Sequence, residues 1–490
     1  MKTKTRNIVS SLILVVLLLL TILTVNVSAA SDTLPEAKDG KITLTEDITL
    51  TTGYVVKKGT TLTIDLAGNT LTLAKDVKAD TILVENGASL KIIGDGTITN
   101  NTKGYGALFN NGTVTINGAT LKRDTTGGND WYVICNHGNM TIEKANVSVN
   151  GTGSSLVENG YYDYKSTNPR NGYVEGVNAK EPTLTIKDGL FDGGMNTIKN
   201  DDGAILTIDG GTFQNNYQVA VMNWNKTTIN NGTFKTPTGN DKTNLFVGSY
   251  GADSVDKGIL VINGGTFEAE YLVEGYQGIT TPVEINGGTI KATKGIVNET
   301  KAHGSLVEAK GIDVVGEVTA PMSILKYAKK GATVTITDEV KVGDKLNVPE
   351  GVKVNLPETK DEDKVVVKNP DGTYTVEYKD ADYSKVEAAI KKANALKKED
   401  YKDFSKVEAA IKAVEYGKNI TEQKVVDGYA KAIEDAIAAL EKKEVNNEEV
   451  EEDIKNPQTS DNVLVDVTVG LVALVTIAGI VIYKNKNKNK

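Results

Sequence analysis

The segment Leu206–Phe213 reads LTIDGGTF, and it returns along the chain in altered spellings. LTIDLAGNTL starts at Leu62, LKIIGDGTI at Leu90, VTINGATL at Val114 and LTIKDGLF at Leu184. TTINNGTF starts at Thr227, LVINGGTF at Leu260 and VEINGGTI at Val283. Each copy is a short alternating run, an Asn/Asp-Gly turn, then a closing apolar residue, mostly after Thr. Alternation sends every second side chain to one face of a strand. Asn and Gly supply the positive φ that a tight corner needs. The closing residues are Leu71, Ile98, Leu121, Val147, Phe191, Phe213, Phe234, Phe267 and Ile290, spaced 27, 23, 26, 44, 22, 21, 33 and 23 apart. A period in the low twenties with β-branched alternation predicts a solenoid. A leucine-rich repeat would need a Leu-rich helical half, which these stretches lack.

The reading is therefore mainly β: a parallel β-helix over residues 31–357, caps included. Ile64, Ile92, Ile116, Ile142, Ile186, Ile208, Ile229, Ile262 and Ile285 should form one internal column. One coil cannot hide its apolar face alone, so stacking must supply the partner. About a dozen coils at ~4.8 Å would make a rod on the order of 55–60 Å long. The segment 332–357 looks like the last, simpler coils. The pattern resembles the right-handed pectate-lyase-like superfamily.

Residues 358–378 read as a linker with a short strand, and 379–443 as three helices. DYSKVEAAI (Asp382–Ile390) recurs as DFSKVEAAI (Asp403–Ile411), with apolar residues at helical spacing. Asp382 and Asp403 should cap the first two helices, and Thr421 should open the third. This module resembles the FIVAR repeat of bacterial surface proteins and secreted glycan-degrading enzymes. Residues 444–455 are an acidic, solvated spacer.

The two ends speak of export. Residues 1–30 carry a basic start, an apolar run and a small-residue site, which predicts a signal peptide cut after Ala30. An apolar stretch at 463–483, followed by alternating Lys and Asn, predicts a transmembrane helix with its tail in the cytoplasm. Just before it stand Asn456, Pro457, Gln458, Thr459 and Ser460. This tripartite 456–490 segment resembles the cell-wall sorting signal of Gram-positive surface proteins, with Asn456 where Leu is usual and Ser460 where Gly is usual. The resemblance implies transient attack by a sortase at the Thr459 carbonyl, then a covalent link to peptidoglycan. The membrane would hold only the precursor. Pro457 fixes φ and disfavours helix, so the motif can lie extended in a groove.

Composition narrows the function. The 490-residue chain has a formal charge of −9, and its only arginines are Arg6, Arg123 and Arg170. Nucleic-acid partners call for a basic, Arg-bearing face, and this chain has none. One cysteine, Cys135, leaves no internal disulfide or multi-Cys zinc site, and it reads as a small buried residue. No cofactor or metal is expected.

The enzymes that the superfamily resemblance brings in need converging carboxylates with His and Arg-Lys elements. The chain offers Asp201, Asp202, His137 and His303, with Arg123 and Arg170, in none of those motifs. Adjacent Asp201 and Asp202 should point apart as turn residues. The chain thus reads as non-catalytic, with a wall-anchored polysaccharide lyase or hydrolase as the alternative and a ligand-free spacer as a second. Where the period nearly doubles, the insert ENGYYDYKSTNPRNGYVEG carries Tyr161, Tyr162, Tyr164, Arg170 and Tyr173. Together with Trp131, Tyr132 and Trp224 these are candidate contacts for glycans or for host or neighbouring surface proteins. A second insert, 235–258, has no assigned role. The expected function is adhesion or glycan recognition at the cell surface.

Overall fold

The computed structural model describes residues 32–124, 131–215, 217–237, 239, 241–248, 258–275, 282–298, 311–357 and 362–444. It is a parallel β-solenoid of about ten turns. Each turn contributes strands to three ladders, and every pairing in them is parallel.

The first ladder carries the isoleucine column. Ile42, Ile64, Ile92, Ile116, Ile142 and Ile186 pair in sequence, followed by Ile208, Ile229, Ile262, Ile285 and Val314. All nine isoleucines expected inside are buried there. Removing each from water contributes on the order of 1.5–3 kcal/mol. Between them stand Thr63, Thr115, Thr141, Thr185, Thr207 and Thr228, partly exposed on the outer face.

The second ladder takes the closing residues. Ile48, Leu71, Ile98, Leu121, Val147 and Phe191 follow one another, then Phe213, Phe234, Phe267 and Ile290. The four phenylalanines stack with nearly parallel planes, their centroids 5.0, 4.9 and 4.8 Å apart.

The corner between these ladders explains the Asn/Asp-Gly-Gly spelling. Gly265 and Gly288 have φ of +104° and +111°. A Cβ there would lie 2.9 Å from the Gly232 carbonyl oxygen and 3.0 Å from that of Gly265. Both the dihedral and the neighbouring coil therefore exclude a side chain. Beside this column the exposed amides of Asn230, Asn263 and Asn286 donate in turn to Asp209, Asn230 and Asn263 at 2.7, 2.8 and 2.9 Å.

The third ladder was not foreseen in detail. Its inner positions run Tyr54, Ile82, Leu108, Ile134, Val157, Ile198, Val221, Leu245, Val273 and Val297. Two residues on, Asn110, Asn136, Asn159, Asn200 and Asn223 form a buried amide column. Each Nδ2 donates to the next Oδ1 at 2.7, 2.7, 2.8 and 3.0 Å. Asn223 Oδ1 then accepts from the Thr227 hydroxyl at 2.8 Å. The remaining Nδ2 hydrogens reach backbone carbonyls, such as Thr183 and Ile205. Stacked identical amides thus satisfy one another where an isolated buried amide would be costly.

The C-terminal end of the solenoid differs from the expected linker. Strands Lys364–Lys368 and Tyr374–Tyr378 form an antiparallel hairpin, and the second also pairs with Lys345–Leu346. Val376 is fully buried and belongs to the solenoid core. Residues 364–378 therefore close the stack, because an open end would leave backbone groups and apolar surface unpartnered.

Contacts divide the described chain into two compact units, one holding the solenoid with 415–428 and the other 385–414 with the residues from 429 on. Helices occupy Ser384–Asn394 (α1), Ser405–Lys412 (α2) and Gln423–Ala438 (α3). Asp382 and Asp403 accept the amides of Ser384 and Ser405, each at 2.8 Å. At the third helix the cap is Asn419 instead of Thr421. A 3-10 turn at Ile420–Glu422 precedes α3, and Asn419 and Glu422 form a reciprocal capping box. No helix among the described residues is long and apolar enough to cross a membrane. The stretch 463–483, the motif Asn456–Ser460 and Ala30 lie outside the described residues.

Candidate functional site

The outer face of the third ladder carries Leu83, Phe109, Cys135, Glu158, Lys199 and Met222 in register. On an uncovered solenoid this row would face water. Instead Phe109, Cys135, Glu158, Lys199 and Met222 are each under 10% exposed. Over the part of the row around Glu158 the cover is the insert, residues 160–182, which leaves after Val157–Asn159 and returns at Thr183–Ile186.

The insert is held down by hydrogen bonds along its length. Tyr161 N donates to Asp202 O at 3.1 Å, and its hydroxyl donates to Ala179 O. Asn178 clasps the loop internally, accepting from Val174 N at 2.9 Å and donating to Gly172 O at 3.0 Å. His137 Nδ1 lies 3.1 Å from Pro169 O. Arg170 is the pin. Its guanidinium meets both oxygens of buried Asp80 at 2.6 and 3.3 Å and Gly104 O at 3.2 Å. It also sits over the rings of Phe109, Tyr105 and Trp131 at 4.5, 5.0 and 5.4 Å.

Under the insert lies a buried polar centre. Cys135 Sγ donates to Glu158 Oε2 at 3.1 Å, and His137 Nε2 is 3.7 Å from the same oxygen. A Cys-His-Glu trio suggests a nucleophile, but burial, with Glu158 adding to it, raises the thiol well above its ordinary value. The sulfur stays protonated and 1% exposed, so it packs as a small apolar group. Among the described residues no cluster of His, Cys, Asp or Glu could hold a metal ion.

Asp201 and Asp202 follow the third-ladder strand Asn196–Asn200, and both are buried. Asp201 Oδ2 is 2.6 Å from Lys199 Nζ. Burial pushes the Asp201 carboxyl up to about 7, with Glu158 and Asp202 adding to the rise, while Lys199 draws it back. A carboxyl raised in the fold contributes stability that is fully present below its unfolded pKa and lost as pH rises through about 7. The urea midpoint should therefore be lower at pH 8 than at pH 5, and Asp201→Asn should remove most of that difference. An unchanged pH dependence in the variant would refute the assignment.

The aromatic residues named from sequence do not form one exposed face. Tyr161, Trp224 and Tyr132 are 0%, 1% and 9% exposed. Trp224 packs in a separate cluster with Val219, Met222 and Phe246. Trp131 is half-buried against Tyr132 at 5.1 Å. Tyr164 and Tyr173 are half-buried and stack on each other at 5.7 Å. Tyr162 alone of the group is well exposed, at 59%. The reason is energetic: a row carrying Phe109 and Cys135 is better covered than wet, and the tyrosines cover it. Arg123 is buried and donates to the Thr102 and Tyr105 carbonyls.

One concavity remains open where the insert meets the earlier coils. It measures about 480 Å³, with Leu83, Phe109, Pro169 and Val177 as its apolar lining and Asn86, Asn111, Lys58, Glu85 and Arg170 as its polar one. The 1–490 sequence matches no family model, no curated protein and no solved structure.

The sequence contained a signal for the amide column that went unread. LFNNG, ICNHG, VENG, IKNDDG and VMNWN each place Asn two residues past an inner apolar position. His303 and the second insert's 249–257 fall outside the described residues.

Proposed function

We propose that this is a wall-attached surface protein that recognises a glycan or partner at the cleft beside the insert, in the manner of an adhesin. In this reading the solenoid is a right-handed, pectate-lyase-like β-helix and 379–443 is a FIVAR-like module. The chain is secreted, held briefly at the membrane, and joined by a sortase through Thr459 to peptidoglycan. The observation that carries recognition is the insert itself. A coil stacks without those extra residues, yet here they are pinned by Arg170 and shape one wall of a cleft. Anchoring rests on the order of motif, apolar stretch and basic tail.

Two measurements test the two halves. Thr459→Ala should leave the protein in the membrane fraction, and undiminished covalent recovery with cell wall would sink the anchoring half. For recognition, the full-length chain should bind a subset of a glycan array. Silence across the array would remove glycans as its ligands.

A further inference from the structure

The cleft's own chemistry narrows what it can take. Of its charged lining, Glu85 and Arg170 are already engaged. Glu85 accepts from Lys57 Nζ and Lys58 N, both at 2.9 Å, and Arg170 is paired with Asp80. Counting Lys58 and Arg170 against Glu85 and Asp80, the formal charges cancel. A charged ligand would have to break those pairs or rely on Lys58 alone.

Hydrogen-bonding capacity remains in the amides. Asn111 Oδ1 is buried with no hydrogen-bond partner. Such an acceptor costs about 1–3 kcal/mol unless something donates to it. Leu83, Pro169 and Val177 offer apolar surface around it, and Val177 is 39% exposed at the mouth.

We propose that this cleft binds a neutral pyranoside, its C–H face against Leu83, Pro169 and Val177 and one hydroxyl donating to Asn111 Oδ1. A pyranose combines these two features: an apolar face and hydroxyl donors at its edge. About 480 Å³ suits one or two sugar rings. This rests on the recognition reading above and adds the ligand class and the contact.

The test uses the full-length chain on an array holding neutral and acidic oligosaccharides, followed by titration with the best neutral binder. Asn111→Ala should weaken binding about five- to tenfold with no fall in urea midpoint. Val177→Trp, at the exposed mouth, should abolish it by filling the space. Neutral-glycan binding that survives both substitutions would place the site elsewhere while leaving recognition intact. Binding confined to acidic glycans and lost in Lys58→Met would overturn the ligand class. An array with no binder would remove the recognition reading and this inference together.

Discussion

Phe213→Ala is expected to lower the stability of the solenoid by about 3–5 kcal/mol, near the upper end of that range. The ring is fully buried and lies between Phe191 and Phe234, at 5.0 and 4.9 Å with nearly parallel planes. Truncation removes the side chain's burial, leaves a cavity, and deletes two ring pairs at once, each contributing about 0.5–1.5 kcal/mol. Coils contact only their neighbours, so the loss should be local. Hydrogen exchange should quicken most in Gly189–Asp192 and Thr233–Lys235, which flank residue 213 in the second ladder. Phe213→Leu, which keeps most of the volume, should cost less than half as much in urea unfolding. A change below about 1 kcal/mol for the alanine variant would mean that the stack does not hold the coils.

Arg170→Met should be nearly as damaging, by a different route. Asp80 is 5% exposed, and its carboxylate also accepts Gly106 N at 2.8 Å. Removing the guanidinium leaves that charge buried without its partner, which costs on the order of 3–5 kcal/mol. The pair joins positions ninety residues apart, so the consequence should be release of the insert. Limited proteolysis should cut within 160–180 in the variant and spare the parent. Adding Asp80→Leu should recover much of the loss, since the stranded charge is then gone. If the double variant is as unstable as the single, packing of Arg170 over Phe109, Tyr105 and Trp131 is the main effect and the ion pair is secondary.

The isoleucine and phenylalanine columns were legible because strand alternation is a local property. A side chain's face follows from its position modulo two, and the turn residues mark where one strand ends. Repetition then aligns the copies without any knowledge of the third dimension. The same logic placed α1 to α3, with the cap of α3 moved from Thr421 to Asn419 because the helix is preceded by a 3-10 turn. The hairpin at 364–378 was missed as structure. Its pairing with Lys345–Leu346 and the burial of Val376 depend on where the stack ends.

The site divides along the same line. Sequence by itself determined that an insert interrupts the coils and that it is rich in tyrosine and carries Arg170. Whether those rings face solvent or the rod was decided only by the tertiary fold. The third ladder brings Phe109, Cys135, Glu158 and Lys199 into one row from coils far apart in the chain. That row needs a cover, and the insert supplies it. Asp80, Asn111 and Val177 become neighbours of the cleft through the same stacking. Periodicity reports which face of a strand a residue occupies; only the superposition of distant coils reports what else has arrived there.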